Sequence, residues 1–132
     1  MQRHLLYILL FCFIQTANAQ FIDLDTIVVI DDYENVGSQK LYSDSLVSTF
    51  EIWVKKEVPL HKHEFHTEQV IVLEGEGNMR LGDEWKIIKP GDLIIIPVGT
   101  LHQVIVTSSI PLKVLSVQAP EFDGSDRVIM KE

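Results

Sequence analysis

Residues 61–75 read HKHEFHTEQVIVLEG, and residues 91–102 read GDLIIIPVGTLH. In the first stretch His61 and His63 stand one residue apart. On a β-strand, residues two apart point to the same face, so both imidazoles look one way and Lys62 the other. Glu68 lies five residues beyond His63, an odd offset that a straight strand would turn to the wrong face. The polar Glu64–Thr67 segment is turn-length, and a reversal there returns the chain antiparallel, with Glu68 beside the histidines across the strand pair. His102 arrives from a distant strand, positioned by the Pro97–Gly99 turn just ahead of it. Three imidazoles and one carboxylate can converge on one metal ion. With no sulfur ligand, the donor set suits Fe, Mn, Ni, Co, Cu or Zn. A six-coordinate ion would keep two positions for water, substrate or dioxygen. A tetrahedral ion would keep none and be structural.

Outward from these stretches, short apolar segments alternate with turn chemistry. Ile27–Ile30 is β-branched and strand-like. The polar Asp31–Gln39 segment carries Gly37-Ser38 as a turn signal. In Ser45–Glu57 the residues Leu46, Ser48, Phe50, Ile52 and Val54 share one face, which makes a strand apolar mainly on one side, and Val58-Pro59-Leu60 reads as the lead into the histidine segment. Gly82-Asp83 between Leu81 and Trp85 is a two-residue hairpin signal. Leu93–Ile96 is an unbroken apolar run, which predicts a strand covered on both faces. The segments His102–Val106 and Leu112–Gln118 complete the series, and Glu121–Asp126 is an acidic loop. No window holds a 3.6-residue apolar period. Eight to ten short strands predict an all-β sandwich or barrel.

The first 19 residues have another character. Arg3 precedes the apolar run Leu5–Ile14, and Ala17-Asn18-Ala19 supplies the small residues of a cleavage site. This predicts a signal peptide over residues 1–19, and one domain over residues 20–132 in a secreted or periplasmic protein. The run is too short to span a bilayer comfortably, which disfavours an anchor. The single cysteine, Cys12, leaves with the signal, so the mature chain has no disulfide. Cleavage also removes Arg3 and no acid. The formal charge moves from −8 to −9, with 10 basic against 19 acidic residues. Such a surface repels nucleic-acid phosphates and anionic membranes, so the expected partner is a small molecule.

The two histidine stretches resemble the two conserved motifs of the cupin superfamily. The spacing between them is that of a short single-domain member, of the cupin type-2 kind. The resemblance implies a jelly-roll β-barrel, a double-stranded β-helix. It implies one divalent metal held inside by His61, His63, Glu68 and His102. Two positions depart from the pattern: Lys55 replaces a frequent glycine, and Val106 a frequent asparagine. Neither is a ligand position in the family. Resemblance to cupin dioxygenases further implies Glu68 as a catalytic base.

Cupins host many functions, so fold does not decide this one. One expectation is a metal-dependent dioxygenase, isomerase or lyase acting on a small oxygenated molecule. The other is a non-catalytic module that binds a small molecule or uses metal to staple the barrel. His66 shares alternation with Glu68 and is a candidate acid–base group at a cavity mouth; an exposed loop histidine is the favoured reading. Trp53, Trp85, Met79, Leu81 and Ile95 read as core or interface before pocket. Ile71 and Leu73 would face away from the cavity, which calls for a second layer or a homodimer partner.

Overall fold

The computed structural model describes residues 19–29 and 32–131. The predicted signal peptide therefore lies, but for Ala19, outside the described residues. Ten strands form two five-stranded sheets: β1 Val36–Ser43, β2 Ser48–Val54, β3 Glu57–His63, β4 Thr67–Glu74, β5 Gly77–Leu81, β6 Glu84–Ile88, β7 Leu93–Ile96, β8 His102–Val106, β9 Leu112–Ala119 and β10 Arg127–Ile129. One sheet runs β1-β2-β9-β4-β7 and the other β10-β3-β8-β5-β6. All neighbouring strands are antiparallel. The chain is an all-β jelly roll, as its turn spacing and strand count predict.

Strand alternation turns one side of each sheet inward. Val54, Val72, Ile96, Leu112 and Val114 from the first sheet meet Met79, Ile88 and Val104 from the second in one apolar core. The Gly82-Asp83 hairpin forms as predicted, with Leu81 opposite Glu84. Gly75, which closes the first motif, is fixed by geometry. Its φ is +72°, and a Cβ there would stand 2.6 Å from the Pro111 carbonyl oxygen.

Four local expectations need correction. Gly37-Ser38 is not a turn but part of β1. Its glycine serves close approach, because a Cβ at Gly37 would meet the Tyr33 ring at 2.8 Å and Val29 Cγ1 at 3.1 Å. Within the expected strand at 27–30, the described residues Ile27–Val29 have no strand assignment. Val58-Pro59-Leu60 is not a lead-in but the middle of β3, at a register irregularity between Val58 and His61.

The fourth correction concerns β7. It lies at a sheet edge and is covered on one side only; Leu93 is 55% and Ile95 54% exposed. A continuous apolar run does not reveal whether both faces are covered, since burial of the outer face depends on a layer that alternation cannot report. Ile95 is accordingly not core, whereas Met79 is.

Replacing the buried Leu112 with alanine should cost about 2–5 kcal/mol in urea unfolding. Ile95→Ala should stay within about 0.5 kcal/mol if its face meets only water. A larger, concentration-dependent loss at Ile95 would reveal a second copy packed on β7.

Candidate metal centre

The two motifs meet at one end of the barrel interior. His61 and His63 sit two apart on β3 and point inward, each 4% exposed. His102 opens β8, the neighbouring strand, and lies directly across from His61. The turn ahead of it is pinned beside the first motif by a hydrogen bond from the Gly99 N–H to the His63 carbonyl, at 2.7 Å. Glu68 enters differently from the sequence expectation. β3 and β4 are not paired; Thr67 starts a strand in the opposite sheet. The Glu64–His66 connection thus carries the chain across the barrel, and Glu68 faces the histidines from the other wall. That crossing also resolves its odd offset, since inward and outward are redefined when the chain changes sheet.

Each imidazole is oriented from behind. His61 Nδ1 donates to the Pro59 carbonyl at 2.8 Å, and His102 Nδ1 donates to the Thr100 carbonyl at 2.9 Å. His63 Nδ1 faces Asp126 Oδ1 at 3.4 Å. Because these partners are acceptors, the proton belongs on Nδ1, and Nε2 keeps its lone pair for a ligand in the neutral ring. Nitrogens of the three rings lie within 4.8 Å of one another. Burial, helped by the nearby His102 ring and the Arg127 guanidinium, pushes His61 down to about 3, so its ring stays neutral and ready to coordinate.

Glu68 is 7% exposed. Its Oε1 accepts the Ser116 hydroxyl at 2.5 Å, and its Oε2 lies 3.5 Å from both His63 Nε2 and His102 Nε2. Burial acts to raise this carboxyl, but the His102 and His63 rings and the Ser116 hydroxyl outweigh it and hold it below the usual carboxylate range.

A carboxylate oxygen facing imidazole lone pairs requires a proton or a cation between them. His102 Nε2 is buried without a hydrogen-bond partner among the described residues. Ligands about 2.1 Å from one ion stand about 3.0–3.5 Å apart, so the spacing, the hard and borderline donors and the orphaned nitrogen all fit a divalent ion.

A second group, His63, His66 and Asp126, is close enough to suggest another ion site. Its hydrogen bonds argue otherwise. His66 Nδ1 meets Asp126 Oδ2, while its Nε2 meets the Glu121 carbonyl. Both partners are acceptors, so both ring nitrogens must donate and the ring is an imidazolium. Asp126, 1% exposed, also accepts the backbone N–H groups of Phe65 and His66. The favoured reading of His66 as an exposed loop residue is therefore wrong: it is 4% exposed and ion-paired. It is no free acid–base group either, because both nitrogens are engaged.

Sequence reasoning missed Asp126, Ser116, Gln118 and Arg127. Ser116 and Gln118 had a signal: they are polar residues two apart on a strand whose same face is otherwise apolar. Asp126 had none, being one acid among several in a loop. Trp53 and Trp85 do not line the cavity, which occupies about 200 Å³ beside the histidines and has largely apolar walls.

The sequence matches the family described as cupin domain over residues 48–118, more than half of the chain. The chain belongs to the cupin family. It is 35% identical to an uncharacterised protein of Aquifex aeolicus over 96 residues, covering 72% of this chain and 78% of that one. KdgF from Halomonas sp. superposes with a TM-score of 0.71 at 18% identity, covering 80% of this chain and 97% of that one. Pac13 of Streptomyces, described as a nucleoside dehydratase, superposes with a TM-score of 0.65 at 16% identity, covering 75% and 82%. At these identities the two structures share the fold.

The His66–Asp126 pair predicts a pH dependence. Burial works against the His66 charge, but the Glu121 carbonyl and Asp126 outweigh it and raise His66 above its ordinary 6.5. Its stabilisation should be complete below about 6.5 and fade as pH climbs through the raised value. Thermal melts of wild type and His66→Gln across pH 6–9 should therefore converge toward the alkaline end. A gap that stays constant with pH would show that the ring is neutral.

Proposed function

We propose that this cupin is a metal-dependent enzyme acting on a small oxygenated molecule, with His61, His63, Glu68 and His102 holding one divalent transition metal. One observation carries the reading: the converging imidazole nitrogens border a ligand-sized cavity rather than a closed plug of core. Structural metal sites are filled by protein ligands, whereas catalytic sites keep an open position beside space for a substrate. When bound, such an ion supplies Lewis acidity to substrate oxygens.

The chain's own residues would do the rest. The backbone carbonyls of Pro59 and Thr100 fix the ring orientations. Ser116 holds one oxygen of Glu68, and the other, which faces the cavity end of the histidines, could take a proton from a bound substrate once it loosens from the ion. Proton removal next to a polarised oxygen is the opening step of enolisation, a route open to isomerases, lyases and some dioxygenases alike. The fold shared with Pac13 supports the lyase branch by analogy alone. We further propose that residues 20–132 act as one domain outside the cytoplasm after removal of residues 1–19. The charge of −8 fits a small-molecule partner rather than nucleic acid.

A second reading has its own support. The histidines come from one sheet and Glu68 from the other, so an ion between them would also staple the barrel.

Elemental analysis of protein purified without a histidine tag should find about one transition metal per chain, with redox-active metals favouring the oxygenase branch. Replacing His61 and His63 together with alanine should empty the site; full retention of metal would refute the ligand assignment. Chelation separates the two readings. Loss of turnover supports the enzyme. A lower melting temperature with nothing else lost supports the staple.

A further inference from the structure

Two polar groups of the cavity remain after the metal ligands are accounted for. The first is the Gln118 carbonyl. Ser116 has one hydroxyl proton, and it goes to Glu68 Oε1. Ser116 Oγ must therefore accept from Gln118, whose Nε2 lies 3.2 Å away. Flipping the amide would set two acceptors against each other, so the direction Gln118 to Ser116 to Glu68 is fixed by proton count. This leaves Gln118 Oε1 as the free end. The residue is 4% exposed, lines the cavity, and Oε1 has no hydrogen-bond partner among the described residues. A buried carbonyl in that position asks for a donor from a ligand.

The second group is Arg127. It stands opposite His63 in the β10–β3 register, and directly opposed residues share a face, so it points to the same side as that ligand. It borders the cavity and is exposed to solvent, as a residue at a cavity mouth would be. No carboxylate lies within salt-bridge distance of it among the described residues. Among the described residues, no lysine and no second arginine line the cavity. One guanidinium fork matches one carboxylate, whereas a phosphate dianion would call for further cations. A divalent ion and Arg127 together outweigh the single charge of Glu68, so this site attracts anions although the chain as a whole is acidic.

Resting on the metal-site reading above, we infer that the cavity selects a small hydroxy carboxylate. Arg127 pairs with the carboxylate, and Gln118 Oε1 accepts the hydroxyl proton. The pair sets specificity, and neither residue is a metal ligand.

The test uses the zinc-loaded mature protein and two matched probe series measured by calorimetry. One is lactate, propionate and lactamide; the other is 3-hydroxybutyrate, butyrate and 3-hydroxybutyramide. In at least one series the wild type should bind the hydroxy acid about tenfold or more tightly than its deoxy and amide relatives. Arg127→Gln should erase the gap between acid and amide while leaving that between hydroxy and deoxy acid. Arg127→Lys, which keeps the charge and loses the fork, should retain part of it. Gln118→Leu should do the converse.

Zinc affinity, measured by competition with a chromophoric chelator, should persist in the Arg127 variants and confirms that they are folded. If zinc binds wild type but neither hydroxy acid is preferred, or the gaps survive in both variants, the inference falls and the metal site stands. If zinc does not bind wild type, the metal-site reading itself falls.

Discussion

The barrel is organised around a polar contact between its two sheets. Glu68 reaches across from one wall to within 3.5 Å of His63 and His102 on the other. Four ionisable side chains in a largely apolar interior are costly to bury unless each is satisfied. Each of them is satisfied from behind by an outer layer. Carbonyls of the strand backbone take the Nδ1 protons of His61 and His102, and Ser116 takes one oxygen of Glu68. What remains unsatisfied points inward to a common place. That is the physical signature of a preorganised binding site, with the unmet demand concentrated where a ligand can meet it.

Asp126 ties this centre to the loops around it. It faces His63 from outside and accepts the N–H groups of Phe65 and His66 as well as the His66 ring. The crossing between β3 and β4 and the approach to β10 are thereby joined at one buried carboxylate. Backbone groups in a connection that leaves one sheet for the other lose their ladder partners, and a carboxylate can replace several at once. The same residue holds the loop in shape and orients a ring of the candidate metal centre. Its neighbour in sequence, Arg127, borders the cavity, so loop closure and the cavity entrance share one short segment.

Much of this was legible in the chain. Alternation placed His61 and His63 on one face, and the apolar face of β2 follows the predicted residues Ser48, Phe50, Ile52 and Val54. Turn chemistry located the Gly82-Asp83 hairpin, and the motif spacing located the family. Other features were not legible. Gly37 looked like a turn residue because glycine in sequence does not say whether it serves a bend or a close approach. β7 looked doubly covered because a run of apolar residues does not disclose which face has a neighbour. His66 looked exposed because its partners, Glu121 and Asp126, lie 55 and 60 residues away.

The sequence by itself determined the strand-rich character of the chain, the inward side of its central strands and the identity of the four converging side chains. These depend on local rules: period-two alternation, turn preferences and donor chemistry. Only the tertiary structure decided that Glu68 comes from the opposite sheet, that His102 stands directly beside His61, and that Asp126 and Gln118 surround the centre. Those facts depend on which strands pair and which cross. Pairing is set by packing between residues far apart in the chain, and no local pattern encodes it.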